Sequence, residues 1–193
     1  MKDRIIRSIS KYIELSSEEE SLIETFWKVK TLEKGNYLLR NGETCRTDNF
    51  VVNGALKAFY INPDTGKEEI LYLAIENWWA TDIESFQNQK PSIYNIQAIE
   101  NTTLLQISHG SFQKMLRQVP KLERFFRIIL ENYLGSLQKR IILNHTLSAE
   151  QRYLDFLNDY PDISKKVSNY LIASYLGVTA EFLSRMRKKI KET

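Results

Sequence analysis

The densest chemistry in the sequence lies near its end, in "VSNYLIASYLGVTAEFLSRMRKKI" over residues 167–190. Glu181 and Arg185 stand four residues apart, so on a helix they share one face, and that face also carries Ala180, Ser184 and Lys188. An arginine so placed can make a paired contact to guanine in a DNA major groove, and a glutamate can accept a hydrogen bond from cytosine N4. The hydroxyls of Ser168 and Thr179 and the cations Arg187, Lys188 and Lys189 suit phosphate oxygens. The bland alternative is a solvated helix on which Glu181 and Arg185 pair with each other.

Charge is distributed to match. Residues 164–193 hold seven Lys/Arg against two Glu, and the remaining 163 residues hold 20 basic against 22 acidic side chains. A basic end on a near-neutral body fits a polyanionic partner; Lys and Arg also suit the negative end of a helix dipole.

Presenting that face requires two short helices that cross steeply. The first is expected over about Asn169–Leu176, with Gly177 supplying the turn and Thr179 capping the second helix. Ile172, Leu176, Val178, Leu183 and Met186 recur where such a pair buries them, and Ala173 is small where the helices meet. Small residue and glycine four apart in this register is helix-turn-helix spacing.

The rest of the chain reads as a scaffold for that unit. Residues 1–25 have helical texture, with Ser16 or Ser17 and a Glu three residues later offering a capping box. From Lys30 short β-branched and aromatic runs follow ("YLLR", "NFVV", "ALKAFYI", "EEILYLAI", "IYNIQAI", "TLLQIS"), separated by Gly-containing turns. Many short strands at this spacing predict an antiparallel sandwich or barrel over about residues 30–107. "SFQKMLRQ" fits a short helix ending at Pro120, and Lys121 to about His145 a long one that is apolar on more than one stripe. One stripe suits the β domain. The other, Leu130, Leu134, Leu137 and Ile141, suits a second copy of the chain, or burial within one monomer. A further helix starts at Ser148, with Gln151 completing a capping box.

The totals exclude several classes. At 193 residues, 42% hydrophobic, the chain makes one generous domain or two modest ones. No apolar run reaches the length of a signal peptide or membrane span, so a cytoplasmic protein is expected. Cys45 is the sole cysteine, so there is neither an internal disulfide nor a cysteine-only metal cluster. No metal-ligand spacing, phosphate loop or Ser/His/Asp pattern stands out, His109 and His145 read as cap or surface residues, and an enzyme is not expected. Arg46 beside Cys45 would lower its thiol pKa and favour redox reactivity.

The whole chain resembles the cyclic-AMP receptor/Fnr (Crp/Fnr) superfamily of bacterial transcription regulators over about residues 10–190. "LEKGNYLLRNGETCRTDNFVVNGALKAFYINPDTGKEEILYLA" is similar to the early β-roll of that family, and "TAEFLSRMRKK" to its recognition helix. The resemblance implies an α+β chain: an N-terminal antiparallel β-roll (double-stranded β-helix) with flanking helices, a long dimerisation helix and a winged helix-turn-helix. The corresponding divisions are residues 1–120, 121–145 and 146–193. It places base reading on Glu181 and Arg185, and the family often carries Arg or another polar residue where this chain has Ala180. Only three residues follow Ile190, so the wing is expected to be short or absent.

Nucleotide-binding members of the family carry Gly-Glu-Leu and, about ten residues on, Arg-Ser/Thr-Ala. Here Thr81-Asp82-Ile83 and Ser92-Ile93-Tyr94 stand in those places. Ser92 supplies no positive charge, and Lys90 nearby lacks the guanidinium fork, so cyclic AMP is not the expected ligand. Trp78 and Trp79, with Asp82, Ser92 and Tyr94, are candidates to line a pocket for another apolar or aromatic effector; core and interdomain packing is the competing reading of the two tryptophans. The expected function is sequence-specific DNA binding as a homodimer on a near-palindromic operator, with RNA polymerase a further candidate partner. The alternative is a ligand-sensing or protein-interaction module whose basic tail contacts a protein.

Overall fold

The computed structural model describes residues 1–191, and side chains as far as Lys188. Residues 192 and 193, where a wing would follow, lie outside the described residues. Two short helices open the chain, α1 (Asp3–Ile9) and α2 (Ser17–Phe26), within the stretch of helical texture. The second start is fixed by a capping box: Glu19 N–H donates to Ser16 Oγ at 3.3 Å, and Ser16 N–H donates to Glu19 Oε2 at 2.7 Å.

Among the described residues seven strands follow: β1 (Lys28–Leu32), β2 (Tyr37–Leu39), β3 (Thr47–Asn53), β4 (Leu56–Ile61), β5 (Glu68–Ala74), β6 (Asn95–Ala98) and β7 (Thr102–Ser108). They form two antiparallel sheets, ordered β1-β7-β3 and β2-β6-β4-β5, so the chain crosses repeatedly between sheets and rolls them around one core. Phe50, Val51, Leu104 and Leu105 from one sheet meet Leu56, Ala58, Ile96 and Ala98 from the other. α3 (Ile83–Asn88) interrupts the strands between β5 and β6, and α4 (His109–Gln118) follows β7.

β4 and β5 do not alternate apolar with polar. Leu56 and Ala58 face the first core, while Phe59 and, from β5, Ile70 and Leu73 face a second one. A strand apolar on both sides must be covered on both sides. The cover is supplied by the C-terminal helices α6 (Ala149–Asp159), α7 (Pro161–Lys166), α8 (Asn169–Leu176) and α9 (Ala180–Lys191). They connect to the roll through α5 (Leu122–Thr146), 25 residues and about 37 Å long. Its first turns dock Leu122 and Phe125 into the first core, after which Leu130, Leu134 and Ile141 are 44%, 56% and 58% exposed. Leu137 differs from them and is half-buried. Among the described residues no helix is long and apolar enough to cross a membrane.

Two glycines are required for different reasons. Gly54, in the β3–β4 turn, has φ +100°, and a Cβ there would lie 2.6 Å from Thr102 Cα and 2.7 Å from Asn101 O. Gly177, after α8, has φ +68° but open space around it. Gly54→Ala is therefore expected to cost about 3 kcal/mol or more, and Gly177→Ala only about 1 kcal/mol. Urea unfolding of the two variants checks that order.

Candidate nucleic-acid interface

α8 starts at Ser168, whose Oγ accepts from Leu171 N–H at 3.5 Å. It ends in a Schellman motif: Val178 N–H donates to Ala173 O at 2.9 Å and Gly177 N–H to Ser174 O at 3.1 Å, which only a left-handed residue at 177 allows. The chain is thereby turned sharply into α9, where Phe182 N–H donates to Thr179 Oγ1 at 3.1 Å. Ile172, Ala173, Leu176, Leu183 and Met186 are all buried between the two helices and the second core, with Val178 half-buried beside them.

With Leu183 and Met186 turned inward, Glu181, Ser184, Arg185 and Lys188 are left exposed. The Glu181 carboxyl is held below its usual range, first by its own backbone N–H, then by the Thr179 hydroxyl and the charges of Lys67 and Arg185. Lys67 belongs to the β4–β5 turn, so the roll contributes positive charge beside the first turn of α9. The face thus pairs a fixed acceptor with free cationic donors, the combination that reads base edges and phosphates.

Other expected residues are placed differently. Ala180 is half-buried and packs on the second core. Arg187 is half-buried and donates to Asn169 Oδ1, so it ties α9 to the start of α8. Ser168 and Thr179 are exposed; each hydroxyl oxygen accepts a capping bond, and the Thr179 proton is given to the Glu181 carboxylate, which leaves the Ser168 proton to donate. The Lys189 side chain lies outside the described residues.

The helical unit is fastened to the roll at the edge of the four-stranded sheet. Ser174 Oγ accepts from Ile70 N–H and donates to Glu68 O, both at 3.2 Å, and Arg140 Nη1 donates to Leu71 O at 2.5 Å. β5 is the outer strand, so these side chains satisfy backbone groups that would otherwise be an open edge. Lys166 adds ion pairs to Glu76 and, at 2.8 Å, to Glu100.

The expected effector residues do not form one pocket. Asp82 and Ser92 are 4% and 3% exposed and bonded to each other, Ser92 Oγ donating to Asp82 Oδ2 at 2.6 Å. Asp82 also caps α3 by accepting from Ser85 N–H at 3.0 Å, so its acceptors are spent inside the protein. Tyr94 stands edge-on to Tyr72 with ring centres 6.5 Å apart. Only Trp78 and Trp79 line the large cavity, of about 500 Å³, between β5, α5 and the C-terminal helices. Trp79 is packed edge-on or tilted against Trp27, Phe50, Phe125 and Phe126 at 5.4–6.2 Å between ring centres. Trp78 reaches the other way, to Tyr160 at 5.7 Å.

Cys45 corrects the expectation of a reactive thiol. It is 4% exposed and donates to Thr47 O, and burial, joined by the negative charges of Asp48 and Asp82, pushes its pKa up to about 11. Arg46 next to it points to solvent and is exposed. Sequence adjacency set the wrong sign because the loop folds the thiol inward and the guanidinium outward.

Comparison with known proteins places these observations. Residues 29–119 match the cyclic nucleotide-binding domain family. The chain is 24% identical over 186 residues to the transcriptional activator protein anr of Pseudomonas aeruginosa, covering 90% of this chain and 74% of that protein. It is 23% identical over 192 residues to the fumarate and nitrate reduction regulatory protein of Vibrio cholerae, covering 92% and 74%. Among solved structures it is similar to FixK2 from Bradyrhizobium japonicum, with a TM-score of 0.74 and 17% identity over 86% of this chain and 85% of that one. The Thermus thermophilus catabolite activator protein gives a TM-score of 0.61 at 17% identity, over 96% and 87%.

The buried Asp48 generates a test of the roll. Its carboxylate accepts from Thr81 Oγ1 and from Asn49 N–H, yet desolvation dominates and raises its pKa from 3.8 to about 6. Between those values the folded protein holds the proton more tightly than the unfolded chain, so stability falls as pH rises. Across pH 4 to 7 the wild type is expected to lose about 3 kcal/mol relative to Asp48→Asn, with no further divergence above that range. Denaturant melts of both proteins at several pH values measure the difference.

Proposed function

We propose that this chain, a Crp/Fnr-type DNA-binding transcription regulator with a cyclic nucleotide-binding domain over residues 29–119, reads a near-palindromic operator as a homodimer through paired α9 helices. Regulators of this type bind DNA as dimers. The observation that carries the reading is the division of α9: Leu183 and Met186 are buried, and Glu181, Ser184, Arg185 and Lys188 are exposed on a helix whose entry is locked by the turn at Gly177. In this reading Arg185 and Glu181 contact base edges, with Ser184 beside them. Lys188, Lys189 and the Ser168 hydroxyl take phosphates, and the Thr179 hydroxyl is reassigned to capping α9 and holding Glu181. Ala180 and Arg187 are reassigned to packing and to holding α9 on α8.

Leu130, Leu134 and Ile141 supply the seam between two copies of α5, which sets the α9 helices roughly 34–36 Å apart, one turn of DNA. Their exposure supports this, since apolar residues at such spacing seek a partner. The chain then divides at about residues 120 and 146 into a ligand-binding roll, the dimer helix and the DNA unit. Cyclic AMP is not the effector in this reading, because Ser92 offers no cation and its hydroxyl is spent on Asp82.

Arg185→Ala is expected to weaken binding to a selected operator by about 1–3 kcal/mol, roughly 5- to 150-fold, and leave nonspecific affinity nearly unchanged. Lys188→Ala should weaken all sequences alike and shallow the slope of log affinity against log salt by about 1. Fluorescence anisotropy with operator and scrambled duplexes checks both. An unchanged sequence preference in Arg185→Ala, or no retention on DNA in dilute buffer, assigns the basic tail to a protein partner instead. Placing charge on the seam, Leu134→Glu with Ile141→Glu, is expected to convert dimer to monomer in analytical ultracentrifugation and to lower operator affinity with it.

A further inference from the structure

The cavity between β5, α5 and the C-terminal helices is bordered by Thr81 and Ile83, from the segment that stands in place of Gly-Glu-Leu, while Asp82, Ser92 and Tyr94 do not line it. Its volume, about 500 Å³, is that of a small-molecule site. Its walls include aromatic rings from three parts of the fold: Tyr72 and Trp78 from the roll, Tyr133 from α5, and Tyr160 and Tyr175 from the C-terminal helical unit. Flat rings on three sides of a gap favour a flat guest, because aromatic faces and edges stack best on another ring.

Among the described residues, one cation lines this space. Arg140 is half-buried and its guanidinium lies 5.0 Å from the Tyr175 ring centre. Only Nη1 is engaged, with Leu71 O, and among the described residues no carboxylate forms an ion pair with it. A half-buried guanidinium with free N–H donors is a counter-charge in waiting. The other charged wall residue, Asp48, accepts from Thr81 and Asn49.

We propose that this three-sided cavity binds a planar aromatic molecule bearing a single carboxylate, its rings against Trp78, Tyr160 and Tyr175 and its anionic group on Arg140. The inference concerns ligand binding alone and stands independently of whether α9 reads DNA.

The test is isothermal titration of the purified full chain with 2-naphthoate and with its uncharged amide. Saturable binding of the naphthoate is expected, with the amide weaker by about tenfold or more. Arg140→Met should lower naphthoate affinity by a similar factor while barely changing the amide, and Arg140→Lys should restore part of the loss. Ser136→Phe fills the cavity without touching the charge and should abolish binding of both compounds. Circular dichroism melts certify that each variant is folded. The proposal is overturned if naphthoate shows no saturable heat up to millimolar concentration, if folded Arg140→Met binds it as the wild type does, or if Ser136→Phe leaves binding intact.

Discussion

The constraint on which the structure depends is the double-sided apolarity of β4 and β5. Leu56 and Ala58 must face one core, while Phe59, Ile70 and Leu73 must face another, and no strand of the roll remains to cover the second side. The C-terminal helices are the cover. Fully burying side chains such as Phe59 and Leu183 is favourable by about 2 kcal/mol each, so the helical unit is held by packing first and by polar contacts second. Ser174 and Arg140 then cap the exposed edge of β5, and Lys166 pairs with Glu76 and Glu100. What is left over on α9 is its charged side. The exposure of that side follows from the apolar face, since a helix with Leu183 and Met186 inward has nowhere to put Glu181 and Arg185 except outward.

Much of this was legible in the sequence because it is local. Capping boxes at Ser16 and Ser148, the glycine turn at 177 and the Thr179 cap depend on residues within one helical turn, and each forms as its spacing implies. The strand runs were legible for the same reason. α3 and α7 were not: at six residues each, they are too short for a 3.6-residue period to register, and only Asp82 and Pro161 mark their starts. The entry of Lys28 and Val29 into β1 was hidden too, since both are exposed on an edge strand and carry no alternation.

Side-chain roles failed where distant segments decide them. Arg187 looks free in the sequence, yet Asn169, 18 residues earlier, holds it. Asp82 and Ser92, ten residues apart, look like a depleted ligand site and are in fact each other's partners. Cys45 next to Arg46 looks activated and is silenced by burial. The aromatic cavity could not be read at all: Tyr72, Tyr133, Tyr160 and Tyr175 come from three separate parts of the chain and converge only when the helical unit docks on β5. Each case has the same cause. Burial and partners, which set charge and availability, are properties of the assembled fold.

The central claim, a twofold pair of α9 helices reading base edges, is tested most directly by selecting binding sites from a library of random duplexes with the purified protein and sequencing the retained pool. The account predicts an enriched inverted repeat whose half-site centres lie about 10 base pairs apart, one turn of DNA. A pool that converges on no motif, or on a single half-site without a symmetric mate, would contradict it.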